Sequence, residues 1–284
     1  MLTASIVIYN TPQIQMERVL ESVYKSNSVQ ILYIIDNSPN DENKTFFESC
    51  KLKNIVEYIP HENTGYGSSH NIAIKKAIES GTDYHVVLNP DICFGVEVLS
   101  ELVSFMNTNP DIGYILPKVI YPDGELQYLC KLLPTPFDLI FRRFLPKTKW
   151  IKKINDRYEL KMSGYDTIMN PPCLSGCFMF LRLSIMKEYN LFFDDRFFMY
   201  FEDFDLIRRI HNISKTIYYP KVTIIHDHAR ESYKNFKMLK IHVKSAFRYF
   251  NKWGWFFDKE RRFMNKKILR EIEEMNKLNT IEKK

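Results

Sequence analysis

Short apolar, β-branched runs recur along the first 120 residues: "SIVIYN", "ILYIID", "VEYIP", "YHVVLN" and "GYILPKVIY". Between them, apolar positions return with helical spacing over residues 13–26, 41–52, 68–80 and 95–107, the third closed by Gly81. A run that is apolar at nearly every position is buried on both faces, as strands of a parallel sheet covered by helices are. The pattern predicts an α/β fold of βαβ units, Rossmann-like, with helices on both faces of a mostly parallel sheet. Beyond about residue 125 the alternation fails. Residues 131–170 are basic, aromatic and irregular, which predicts a loop or a short helical insertion around Phe137 to Phe144. Strand and helix resume in "CLSGCFMFLRLSIM", and an aromatic, acidic block follows, "FFDDRFFMYFEDFDLIRRI".

The predicted strands stop on polar residues: Tyr9-Asn10, Asp36-Asn37-Ser38, His61-Glu62-Asn63 and Asn89-Pro90-Asp91. Ligands of open parallel sheets sit beyond the carboxyl ends of the strands, so these four termini converge on one edge. Each alone is also an ordinary turn; four together define a site. Pro90 withholds a ladder donor and ends the strand, leaving Asp91 to project where a hard cation and a phosphate meet. The turn "ENTGYGSSHN" runs into a helix, and its small residues let backbone amides approach an anion, although it is neither a P-loop nor a dinucleotide fingerprint. "FEDFDL" sets Glu202, Asp203 and Asp205 among aromatic rings, where lost hydration raises a carboxyl pKa toward that of a useful base. Asp205 is read as structural. "IIHDHARES" places His226 and His228 two apart in extended chain, pointing the same way.

Together these stretches resemble the family 2 glycosyltransferases, and more closely the rhamnosyltransferase-like branch that builds bacterial surface polysaccharides. The resemblance covers about residues 3–233, and "DDRFFMYFEDFDL" is its most specific part. It implies a GT-A fold, a UDP- or dTDP-linked sugar donor, Mn²⁺ or Mg²⁺, inversion at the anomeric carbon, and a lipid-linked or glycan acceptor in O-antigen or capsule synthesis. By the family pattern Asp36 contacts the nucleoside and the Gly65 turn lines the donor pocket, with Tyr9, Asn10, Asn63 and Asn71 on the donor side. Asn89 and Asp91 stand at the metal-binding Asp-x-Asp, Asn89 replacing the first Asp. Asp203 matches the catalytic base, with Glu202 beside it. His226 best matches the family histidine near metal and diphosphate, with His228 a close rival. Ser69 stands where Gly or Ala is more usual.

Charge divides the chain further. Residues 1–130 carry a net −8, residues 131–233 a net +5 and residues 234–284 a net +9. Phe236, Leu239, Val243, Phe247 and Phe250 recur at helical spacing beside Lys237, Lys240, Lys244, Arg248 and Lys252. Such a helix either lies on an anionic bilayer or packs its apolar stripe on the catalytic domain. The expected organisation is a catalytic domain over 1–233, with a donor-binding half (1–125) and an acceptor half (126–233), followed by a basic, amphipathic helical tail over 234–284. The N-terminus shows no basic leader, no run approaches a membrane span, and the five cysteines lack metal-site spacing. The expected location is the cytoplasm, peripheral on the inner face of the bacterial plasma membrane. A nucleic-acid binder would explain the tail alone, so no nucleic-acid partner is expected; a non-catalytic sugar-nucleotide binder is the other rival, hinted at by Asn89.

Overall fold

The structure, a computed structural model, describes residues 1–40, 42–141, 148–227 and 236–282. Eight strands form one sheet: β1 (Leu2–Ile8), β2 (Ile31–Asp36), β3 (Val56–Pro60), β4 (Tyr84–Leu88), β5 (Ile92–Phe94), β6 (Ile112–Ile120), β7 (Phe178–Arg182) and β8 (Lys215–His226). Their order is β3-β2-β1-β4-β7-β6-β8-β5. β1 to β4 are mutually parallel, as the apolar runs predict. The other half is mixed: β7 runs against both β4 and β6, β8 is parallel to β6, and β5 runs against β8. The turn from β4 to β5 is too short for a parallel crossover, so β5 crosses to the far edge and pairs with β8 instead.

The helices are α1 (Gln13–Ser26), α2 (Lys44–Ser49), α3 (Tyr66–Glu79), α4 (Val98–Thr108), α5 (Lys149–Tyr158), α6 (Leu183–Glu188), α7 (Glu202–His211), α8 (Phe236–Trp253) and α9 (Lys259–Glu282). α1 has the bounds its periodicity predicts, and α3 begins two residues early, at Tyr66. The irregular insertion holds a π-helical turn (Phe137–Phe141) and α5, capped by the Thr148 hydroxyl. α3 packs on β1, β2 and β4, and α1 packs on α4 and β5. Thr3 and Ser5 project to the α3 face, where they and two histidines form a buried polar chain. Thr3 Oγ1 meets His85 Nδ1, and Ser5 Oγ meets both His85 Nε2 and His70 Nδ1, each at 2.8 Å. Burial keeps both imidazoles neutral, His70 well below the usual range and His85 at about 3.

The tail is a structural part of this domain. Ala246, Tyr249 and Phe250 of α8 are buried against Phe197 and Phe201, and Met264, Ile268 and Ile272 of α9 are buried in turn. The expected stripe therefore splits: Phe250 is core, Leu239 and Val243 are half-buried, and Phe236 and Phe247 face outward. Lys252 is no solvated charge either, since it pairs with Asp194 and with the fully buried Asp205. Arg208 of α7 is 1% exposed and forks onto Asp258 at 2.8 and 2.9 Å, with Glu260 as a second partner and the Trp253 ring 4.0 Å away. A buried guanidinium is tolerable only with such pairing. These bonds clamp the tail to α7. Among the described residues no helix is long and apolar enough to cross a membrane.

Candidate active site

Beyond the ends of β1, β2 and β3 lies a cleft of about 530 Å³, lined by Tyr9, Asn37, Ser38, His61, Glu62 and Asn63 among others. Tyr9 is half-exposed, and Asn10 adopts a left-handed φ of 49° while its amide donates to the Ser38 hydroxyl. His61 Nδ1 is buried at the cleft and has no partner. Two expected donor residues have protein partners here. Asp36 is 2% exposed and does not line the cleft. Its Oδ1 accepts from the Ser38 amide, and its Oδ2 from the Tyr58 hydroxyl and the Asn43 amide group. It shapes the turn that presents Asn37 and Ser38. Asn71 is equally committed: it donates to the Phe193 carbonyl and to Asp195, and accepts from the Phe193 amide. It ties α3 to the loop ahead of α7.

Gly65 has a φ of 115°, and a Cβ there would lie 2.4 Å from the Phe198 carbonyl oxygen, so only glycine fits. The unusual Ser69 uses its hydroxyl to bridge the Gly65 carbonyl and the Asn37 side chain. Next in the chain, Tyr66 binds the two walls together. Its hydroxyl reaches Asn89 Oδ1 at 2.8 Å and the Gly176 carbonyl at 3.2 Å. Burial, and then nearby acidic groups that include Asp203 and Asp91, push this phenol well above its ordinary pKa, so it remains a donor.

Pairing of Ile92 with His226 across β5 and β8 sets the Asp91 and His226 side chains against each other. His226 Nδ1 bonds Gln127 Oε1 at 3.0 Å, which fixes that nitrogen as the donor and turns Nε2 toward Asn89 (3.5 Å) and Asp91 Oδ1 (3.4 Å). The last is an ion-pair distance without hydrogen-bond geometry, and Asp91 Oδ1 is buried with no hydrogen-bond partner. Burial alone would lower the His226 pKa; the Cys177 sulfur and Asp91 reverse that and raise it to about 10. Metal and proton compete for the same Nε2. An orphaned carboxylate oxygen beside an imidazole oriented from behind fits a divalent cation. Among the described residues no cluster of three or more His, Cys, Asp or Glu side chains could hold one, so a cation bound there would need substrate oxygens and water to complete its shell. His228 lies outside the described residues.

On the opposite wall, Asp203 Oδ2 accepts from the Gly176 amide and Oδ1 from the Phe204 amide, both at 2.8 Å. A Cβ on Gly176 would come within 2.7 Å of Asp203 Cβ, so the close approach needs glycine. Glu202 is 5% exposed, and its Oε2 is buried without a partner. Burial raises both carboxyl groups, Glu202 further and with Asp203's charge adding to it. Asp203 has the Gly176 and Phe204 amides to offset burial, whereas Glu202 has only its own backbone amide, so of the two Asp203 is the better able to carry negative charge. Asp205 points away, into Arg209, Lys252 and Trp253, as its structural reading requires.

Two adjacent residues before α7, Tyr200 and Phe201, hold left-handed φ values of 69° and 68°. Each costs roughly 1–2 kcal/mol in a non-glycine residue. α8 over-determines them: the His242 ring lies 5.3 Å from Tyr200 and 4.9 Å from Phe201, and the Ser245 hydroxyl donates to the Met199 carbonyl. Sequence reading missed Gln127, Tyr66 and Gly176. Gly176, sitting just before an apolar run in "LSGCFMFLR", carried the one usable signal.

A cleft at the ends of parallel strands, an unpartnered Asp91 oxygen beside His226, and Asp203 held by two backbone amides are arranged on a mixed α/β sheet like that of the GT-A glycosyltransferases. The chain belongs to glycosyl transferase family 2, which matches residues 3–189. It is 25% identical over 255 residues to rhamnosyltransferase WbbL of Escherichia coli (strain K12), covering 86% of this chain and 90% of that one. It is 22% identical over 256 residues to the N-acetylglucosaminyl-diphospho-decaprenol L-rhamnosyltransferase of Mycobacterium tuberculosis (strain ATCC 25618 / H37Rv), covering 85% and 81%. In fold it is similar to the mannosyltransferase PcManGT from Pyrobaculum calidifontis in complex with GDP-Man and Mn²⁺ (TM-score 0.57, 14% identity, 87% of this chain). S. aureus TarS 1-349 in complex with UDP-GlcNAc is another such structure (TM-score 0.54, 12% identity, 86% of this chain). The chain spans 64% and 66% of those two solved chains, less than two thirds of each.

Proposed function

We propose that the chain moves a hexose, L-rhamnose first among candidates, from a UDP- or dTDP-linked donor to a lipid-linked glycan in bacterial cell-wall, capsule or O-antigen synthesis, with inversion. The observation that carries the reading is the pair of backbone amides that hold the Asp203 carboxylate beside the enclosed Glu202. Asp203 is partly exposed and aimed by two backbone amides, whereas Glu202 is enclosed and its carboxyl is raised further by burial. An inverting displacement needs one base to take the proton of the acceptor hydroxyl as it attacks. Paired carboxylates, as hydrolases use, are not required.

Asp91 and His226, with Asn89 alongside, would hold Mn²⁺ or Mg²⁺. Bound there, the cation supplies neutralisation of charge on the departing diphosphate. Gln127 keeps the His226 ring oriented, and Tyr66 holds Asn89 and Gly176 in fixed relation, so the two walls keep their spacing. The unpartnered His61 Nδ1 and the exposed Tyr9 and Asn63 are the groups left for the nucleoside. The name of the mycobacterial relative, a transferase acting on a diphospho-decaprenol glycan, supports a lipid-linked acceptor and a peripheral place on the inner face of the plasma membrane. On this reading residues 1–125 form the donor half, 126–233 the acceptor half, and 234–284 a tail that completes the acceptor half.

The test is release of free UDP or dTDP from a panel of nucleotide sugars, with and without Mn²⁺, in the presence of a lipid-diphosphate glycan. Metal-dependent release is expected for at least one donor. If calorimetry shows donor binding while no donor is cleaved, the chain is a non-catalytic sugar-nucleotide binder and the reading fails.

A further inference from the structure

The corner between α8 and α9 is built backwards for a soluble surface. α8 ends at Trp253, Gly254 turns at a φ of 95°, and α9 starts at Lys259. The corner's polar groups point inward: Arg261, 5% exposed, donates to the Trp255 and Phe256 carbonyls, and Asp258 accepts from the Arg261 amide while forking with Arg208. Its apolar groups point outward. Phe256 is 69% exposed and Phe257 90%. A loop pinned by buried charges cannot fold those rings back, so their exposure is fixed.

The first two turns of α9 continue the same surface. Lys259, Arg262, Phe263 and Lys266 are all exposed and fall at i, i+3, i+4 and i+7, one helix face, while Arg261, Met264 and Ile268 turn to the core. Trp255 stacks on the half-exposed Phe247 and donates to Asn251 Oδ1. Asn251 also lines a cavity of about 240 Å³ with Arg196, Phe197, Arg248 and Lys252. Rings that project beyond a basic rim, next to a basic cavity, match an apolar layer lying under negative headgroups. A second copy of the chain placed face to face on this patch would oppose like charges.

We propose that the α8–α9 corner is a rigid wedge that docks on an anionic lipid bilayer, Phe256 and Phe257 entering the acyl boundary while Lys259, Arg262 and Lys266 meet the headgroups. The docking element is thus the corner and not the α8 stripe, which the catalytic domain covers in part, at Phe250. Because Asp258 is clamped to Arg208 on the catalytic helix, docking holds α7 at a fixed attitude to the bilayer. The proposal deepens the lipid-linked acceptor reading and rests on it for its purpose. Vesicle binding and donor cleavage are read separately, so either can fail alone.

The experiment is flotation with vesicles of equal parts phosphatidylglycerol and phosphatidylcholine, against pure phosphatidylcholine. The full chain should float with the anionic vesicles only, and brominated lipid should quench its tryptophan fluorescence. Phe256→Ser/Phe257→Ser should weaken binding about tenfold per ring, the figure for forgoing burial of about 1.4 kcal/mol of apolar surface each. Lys259→Gln/Arg262→Gln/Lys266→Gln should weaken it about fivefold per charge. Both variants should keep the wild-type Tm, since the altered side chains are exposed, and Phe257→Trp in place of Phe257→Ser should restore binding. Wild-type protein that ignores anionic vesicles overturns the proposal, as does a serine variant that binds them undiminished. So does a serine variant whose only change is from dimer to monomer in sedimentation, which makes the corner a self-association surface.

Discussion

On the donor wall, the groups that face the cleft come from the ends of β1, β2 and β3, each delivered by the strand just before it. On the catalytic wall, Asp203 is aimed by the Gly176 amide 27 residues away, and its helix is held by Asp258, 50 residues beyond Arg208. The first wall is local and needs only a parallel sheet. The second is assembled from segments that meet only in the finished fold, and α8 holds two aromatic residues there in an unfavourable backbone conformation. A local wall tolerates loss of one contact, whereas the assembled wall should fail as a unit.

The largest effect should come from the centre of the catalytic wall. Asp203→Asn is expected to lower turnover by about 10²- to 10⁴-fold, the contribution of a general base, while calorimetric affinity for UDP or dTDP with Mn²⁺ stays within a few-fold. A variant retaining more than about a tenth of the rate would remove Asp203 from that role. Next is the clamp. Asp258→Ala strands a buried guanidinium and should cost about 3–5 kcal/mol in urea unfolding. Glu260→Gln, whose side chain is 43% exposed, should cost under about 1 kcal/mol. Equal, small effects from both would show that the tail is an appendage and the two walls are not different in kind.

A smaller effect is expected on the metal side. Gln127→Leu leaves every candidate ligand in place but frees the His226 ring, and should weaken Mn²⁺-dependent nucleotide binding about 10- to 100-fold. Titration calorimetry reads this directly, and an unchanged Mn²⁺ response would mean that His226 takes no part. The smallest effect at neutral pH concerns the polar chain beneath the donor wall. His85 has a folded-state pKa of about 3 against roughly 6.5 unfolded, so the unfolded chain binds the extra proton first. Stability is therefore full above that unfolded value and falls with acidity, by up to about 1.4 kcal/mol per pH unit for this group. Nuclear magnetic resonance should find the His85 ring neutral down to about pH 4; a ring that titrates near 6.5 would contradict its burial.

The same contrast explains what the sequence could reveal. An apolar run that ends in Asn, Asp or Pro encodes its own terminus, so Asn89, Asp91 and the Tyr9, Asn37 and Asn63 neighbourhood were legible from local chemistry. Asp36 and Asn71 were legible as polar strand-end and helix residues, but a sequence does not say which partner consumes a side chain. Gln127 follows β6 in irregular chain with no periodicity to single it out. The stripe on α8 reads identically whether its rings meet lipid or protein, because both surroundings reward the same burial. Strand order is a property of distant pairings, so the antiparallel β7 and the three-residue β5 had no local signature.

The clamp between Arg208 and Asp258 has a consequence for how the molecule comes into being. β1 to β4 all lie within the first 88 residues and can pair with one another while later residues are still being made, at about 5–20 residues per second. Until α8 and α9 arrive, α7 carries an unpaired guanidinium, and Phe197 and Phe201 lack the Tyr249 and Phe250 cover. Closure of these long-range contacts sets the slow step. The parallel strands can therefore close before the catalytic wall is complete, and the chain's most aggregation-prone interval is the one just before its last two helices dock.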